Sequence, residues 1–314
     1  MTTHPLDAPL LELTHPTVTR PLPGELAEAR SALVAATTGF LSVPESALSN
    51  TWGWIGGSEE EVRYGAYRAA EALEQAETEA RSLVAADDAA ETRAARIIGP
   101  ATAARWDLCG LLLPLADGQL DADPGGGEWT IRLVMGHVIS AQRAYGWGSA
   151  WWLANPHDAA DPGLPEGAAD SLWEVLPDEA TTEAHGTGAD LRARLDGVLD
   201  LGAERLAAVA DERLDQGARW SGFPVTIGFR LGRWSSHIRE HTIQVEKTLA
   251  ALNHDPGEPQ RLARHVLAAY GRAEAAVFGR APTDGVAAAV RRIGRGAAEA
   301  REALTSALEA ATRP

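Results

Sequence analysis

Lysine is almost missing from this chain of 314 residues: Lys247 is the single one, set against abundant alanine, arginine and glycine, a bias that reads as coding pressure from a GC-rich genome. Cysteine is as scarce. Cys109 stands alone, so no intramolecular disulfide can form, and the composition fits a reducing compartment. No run of about 18 apolar residues occurs, and the opening "MTTHPLDAPLLELTHPTVTRPLPGE" has no basic stretch leading into an apolar one. Neither a membrane span nor secretion is expected, and the expected address is the cytoplasm. Positive charge is short too: 28 Lys and Arg face 44 Asp and Glu, a formal charge of −16, and the longest basic run is Arg291-Arg292. A phosphate backbone would be repelled, so nucleic acid is not an expected partner, and neither is a membrane. Strand-like alternation and internal repeats are also lacking.

What is present is helical periodicity and enough apolar content, 45%, for a substantial core. The proline-rich start carries one helix, roughly 24 to 38, and reads as an arm over residues 1–51. In "SEEEVRYGAYRAAEALEQAETEARSLV", Ser58 and Glu61 form a candidate capping box, ahead of an apolar side of Val62, Ala66, Ala69, Leu73, Ala76, Ala80 and Val84. Four further helices, at about 100–118, 129–153, 188–211 and 230–252, each carry an apolar stripe, with Thr130 a plausible cap of the second. The segment 154–187 reads as a crossover with short helical pieces, "WSGFPVTIGFRLG" as a loop or short extended segment, and 255–314 as two helices broken at "GRAPTDG". The expected fold is therefore all-α: a four-helix bundle domain over 52–254, with its core at about 98–252, and a C-terminal helical extension over 255–314 packed on it. Those last two helices would cover a bundle face or form a homodimer contact.

One stretch, "WSSHIREHTIQ", sets His237 and His241 four apart, which stacks two imidazoles on one side of a helix. His137 lies mid-helix in another bundle helix, beside its apolar stripe, with Ala141, Ala144 and Gly148 on or near its side leaving space rather than filling it. Together the three make a candidate metal site with an open position. Neutral imidazoles suit zinc, nickel or ferrous iron rather than magnesium or calcium; zinc or nickel is expected, with iron ranked behind them. A histidine on an apolar face is more often a hydrogen-bonded core residue, which stands as the alternative for each one singly. A protease reading of H-x-x-E-H would make Glu240 a general base on a metal-bound water. Glu240 follows Arg239 and lies beside the core stripe, where a solvated position is the simpler account. His4, His15, His157, His185, His254 and His265 fall in arms, loops or helix ends and are set aside.

The pair "GEWTIRLVMGHVISAQ" and "RWSSHIREHTIQVEKTL" resembles the DinB-like superfamily over roughly residues 100–252. The resemblance implies that His137, His237 and His241 are metal ligands at the open end of the bundle. It implies a metal-dependent S-transferase using a low-molecular-weight thiol, mycothiol above all, as nucleophile on a small electrophile or a thiol-conjugated biosynthetic intermediate. Relatives include mycothiol-dependent maleylpyruvate isomerase, thiol S-transferases and a thiol-exchange branch of lincosamide antibiotic biosynthesis. The isomerase has glutamate where one of these ligands is histidine, so its isomerisation is not carried over. Iron enzymes that form ergothioneine follow H-x-x-x-H with x-Glu, whereas here Thr242 and Ile243 follow His241. Arg233, one turn before His237, is a candidate clamp for a carboxylate or sugar hydroxyls, and Trp151, Trp152 and Trp234 are candidates for stacking on a substrate; surface and core roles are the alternatives. Cys109 reads as a buried thiol. A non-catalytic metal-binding or stress protein and a metal-dependent hydrolase remain as other functional readings.

Overall fold

Proline and threonine set most helix starts in this chain. The computed structural model describes residues 11–15, 22–53, 59–87, 92–155 and 174–312. Helices α1 (Gly24–Phe40), α2 (Tyr64–Ala85), α3 (Arg93–Ile98), α4 (Pro100–Leu112), α5 (Asp117–Leu120), α6 (Ile131–Ala154), α7 (Gly188–Leu206), α8 (Ile227–Ala251), α9 (Glu258–Glu274) and α10 (Asp284–Ala311) follow in order, with a π-helical turn at Glu179–Glu183. Pro100 opens α4, where its missing N–H costs nothing. Thr130, Thr187, Thr226 and Thr283 each accept a backbone N–H at the start of α6, α7, α8 and α10. Among the described residues the fold is all-α apart from two short antiparallel ribbons.

Four helices, α4, α6, α7 and α8, form the bundle: α6 packs on α7 and α8, and α4 on α8. Their inward faces share one apolar core, with Leu108, Val134, Val138, Leu195, Val198, Trp234, Ile238 and Val245 essentially closed to solvent. A second layer assembles from the two ends of the chain: α2 packs on α10 and α9, and α1 on α10. Its core includes Val62, just before α2, and Ala66, Ala69, Leu73, Ala80 and Val84 of the expected apolar side, with Ala76 also buried, and Trp106 and Cys109 of α4 extend into it. Helix α4 therefore faces both layers, with α9 laid directly on it.

Between the layers lies a buried cluster of charge. Arg30 of α1 bonds Asp200 (2.5 Å) and Glu274 (2.8 Å), and the fully buried Arg105 of α4 bonds the same two carboxylates at 2.9 and 2.5 Å. Burial opposes ionisation of Glu274, but Arg30 and Arg105 overcome it and hold its carboxyl well below the usual range. A second buried pair, Arg143 with Glu183, ties the crossover to α6, and Arg143 also donates to the carbonyl of His15 in the arm at 2.6 Å.

One expectation needs correction. Helix α2 starts at Tyr64, not at a Ser58–Glu61 box: Thr51–Gly53 (β1) pairs with Glu59–Glu61 (β2), so Glu61 is strand and its carboxylate pairs with Arg63. Ser58 itself lies outside the described residues. The extended segment before α8 is a hairpin of Gly217–Trp220 (β3) and Phe223–Thr226 (β4), turned at Ser221 and Gly222, which both have positive φ (46° and 84°). Positive φ at both central residues matches the twist of the flanking strands.

Candidate metal centre

Helices α6 and α8 run side by side, and each carries its histidines on the edge of its buried stripe. The Thr130 cap fixes where α6 starts; Ile131, Val134 and Val138 then turn inward, which puts His137 on the flank with its side chain 28% exposed. On α8, Trp234, Ile238 and Val245 fill the core, while His237 is buried and His241 half-buried. The three rings meet, with centroids 4.8 Å apart for His137 and His241, 5.2 Å for His137 and His237, and 4.4 Å for His237 and His241. One ring nitrogen from each lies within 4.8 Å of the other two.

The hydrogen bonds around the rings fix which nitrogens face inward. His137 Nδ1 sits 3.1 and 3.2 Å from the two Glu179 carboxylate oxygens, so Nδ1 carries the proton and Nε2 keeps its lone pair. His241 Nδ1 likewise donates to Gln244 Oε1 at 2.7 Å. The Nε2 atoms of His241 and His237 then face one another at 3.1 Å, and the buried His237 Nδ1 has no partner. Two lone pairs cannot sit so close without a positive centre between them, either a shared proton or a cation. Two nitrogens bound to one tetrahedral ion at about 2.0–2.1 Å lie about 3.3 Å apart, so the observed spacing fits a metal. Burial, then the charges that His241 and His137 would carry, push His237 down to about 3; burial also lowers His241. Both are therefore neutral at neutral pH, the form that ligates.

The other residues expected at the site divide. Arg233 is close to it but engaged: its guanidinium makes a two-pronged pair with Glu240 (2.7 and 2.9 Å) and lies 4.9 Å over the Trp220 ring. That pair holds the Arg233 guanidinium charged and points Glu240 outward, which removes the base a protease would need. Trp234 is 1% exposed, and its indole fills the space that a side chain at Gly202 would occupy. Trp151 and Trp152 are buried against each other edge to face, and Trp151 lies about 21 Å along α6 from His137. The three tryptophans are thus core, and do not line the centre.

Residues not singled out from the sequence complete the surroundings. Glu179 comes from the crossover, where no local signal marks it; Gln244 is one turn after His241, a spacing that could have been searched. Tyr145 stands edge-on to His237 at 5.4 Å, and Trp129, 40% exposed, flanks His137 at 5.3 Å. Deeper along α8, Arg230 is buried among neutral acceptors, the Arg219 and Ala144 carbonyls and Ser149, and burial lowers it to about 10. Gly148 leaves the space opposite it that the guanidinium fills, so a side chain there would displace the end of Arg230.

The family model described as DinB superfamily matches residues 100–245, a stretch that contains all three histidines. No curated protein and no solved structure matches the chain.

Proposed function

Because residues 100–245 of this chain match the DinB superfamily model, we propose that the triad is the catalytic metal centre of an S-transferase that uses a low-molecular-weight thiol. The observation that supports this reading is the meeting of three imidazoles, with the Nε2 atoms of His237 and His241 face to face, and no fourth ligand among the described residues. A structural zinc site closes with four protein ligands; a catalytic one keeps a position for a reactant. Zinc or nickel fits the donor set, with ferrous iron behind them.

His137, His237 and His241 would hold the ion, with Glu179 and Gln244 fixing the orientation of two of the rings. The bound cation would supply Lewis acidity that lowers the pKa of an incoming thiol to within reach of neutral pH. The exposed edge at His137 and Trp129 is the open side, where the thiol, with mycothiol the first candidate, and a small electrophile would approach. In the reaction the thiol's sulfur forms the new bond to carbon, its proton passes to solvent, and the displaced group leaves with the bonding pair. A thiol-conjugated intermediate exchanging one thiol for another is balanced in the same way. Glu240, tied to Arg233, is not free to serve as the base of a hydrolase.

Elemental analysis of the purified protein tests the centre first: about one divalent ion per chain is expected, and its loss in His237→Ala. Consumption of mycothiol with a generic electrophile should require the loaded protein and fall to background in His137→Ala, His237→Ala and His241→Ala. Metal uptake without any thiol dependence would leave a metal-binding protein and sink the transferase.

A further inference from the structure

Behind α8, on the side away from the triad, the two layers leave a cavity of about 550 Å³. Five arginines line it: Arg81 of α2, Arg96 of α3, Arg239 of α8, Arg272 of α9 and Arg280 just beyond α9. No carboxylate lines it among the described residues. Arg239 is the arginine between the two α8 histidines; two positions past His237, it is turned by about 200° around the helix. In a chain of charge −16, five of 28 basic residues gathered around one recess need a reason.

Arg81, Arg239 and Arg272 keep N–H donors beyond their bonds to described residues, while Arg96 and Arg280 have further partners of their own. Each guanidinium offers five N–H donors. Arg81 gives its Nε to Glu77 (2.9 Å), Arg272 gives Nη2 to Glu74 (2.7 Å) and holds its Nε 3.4 Å from Glu77, and Arg280 gives Nε to the Ala276 carbonyl (2.8 Å). Arg239 has no acceptor among the described residues. Helix ends do not favour an anion here: the last turns of α2, α3 and α9 border the cavity with their negative ends, against one first turn, that of α4. The arginines decide the sign of the field. Val84, Pro100 and Ala103 supply an apolar wall, and the volume is that of a small-molecule site.

We propose that this cavity is a binding site for a small polyanion bearing a phosphate ester or pyrophosphate group, its charged end among the arginines and its remainder on the wall of Val84, Pro100 and Ala103. Guanidinium suits such a ligand because its donors match phosphate oxygens in pairs.

Calorimetric titration of the full-length protein with inorganic pyrophosphate tests this, with inorganic phosphate and citrate as comparison probes. Pyrophosphate should bind more tightly than phosphate or citrate, weaken as salt rises, and raise the melting temperature. Arg239→Ala combined with Arg81→Ala should weaken it about tenfold or more, while His241→Ala, which disables the metal centre, should leave it unchanged. Circular dichroism shows whether each variant is folded, and Arg239→Ala, which removes no observed bond, serves alone if the double variant is not. Absence of binding up to about 10 mM overturns the proposal, as does equal binding by folded arginine variants. Loss of binding in His241→Ala would place pyrophosphate on the metal and also overturns it; tighter binding of citrate overturns the phosphate assignment.

Discussion

Glu179 and Gln244 show how much of a metal centre lies outside its ligands. Each receives an Nδ1–H and so leaves Nε2 unprotonated and aimed at the ion. Removing such a partner typically costs about 10–100-fold in metal affinity, so Glu179→Ala should weaken binding by that order in a competition with a chelator, with the helical signal intact. His237 sets a pH dependence. Its pKa in the folded chain is about 3, below the ordinary value of about 6.5, so between the two the unfolded chain binds more protons and stability rises with pH. The metal-free protein should therefore lose melting temperature as pH falls from 7 to 4, and His237→Leu should flatten that slope; an unchanged slope would refute the assignment. The triad was legible because four-residue spacing and a helical stripe translate directly into which side chains share a face. Glu179 was not, because it reaches His137 through the fold, 42 residues away in sequence. Nor did the sequence separate Trp234, which looked like a neighbour of the site, from the core residue it is.

At the scale of elements, Gly202 of α7 leaves room for the Trp234 indole that reaches across the bundle from α8. Gly202→Ala puts a methyl into that ring, an overpacking that should cost about 1–3 kcal/mol in chemical denaturation. Metal stoichiometry should survive it, since the ligands lie further along α8. The four bundle helices and their inward residues follow from period alone. The two hairpins do not: β1 and β2 are three residues each, too short for alternation to register, and an acid run that suits a helix start also suits an exposed strand. Ser-Gly at 221–222 was a usable turn signal.

The molecule as a whole joins segments distant in sequence. Its two layers are locked through Arg30, Arg105, Asp200 and Glu274, which no local pattern foretells, because each charge finds its partner on another helix. Arg105→Met leaves two buried carboxylates with one cation and should destabilise the fold by about 3–5 kcal/mol, a drop visible in urea midpoint. Glu274, held well below the usual carboxylate range, stabilises the fold above the unfolded pKa of about 4.3; that contribution disappears only as pH falls further, through its folded value.

Cys109 lies where α4 enters the second layer's core, 4% exposed, and burial pushes its thiol up to about 12. In the closed protein it is out of reach of an alkylating reagent, so each labelling event records a moment when the layers have parted. A chain with one thiol therefore carries its own clock: the labelling rate in native buffer measures how often that seam breathes, separately from complete unfolding.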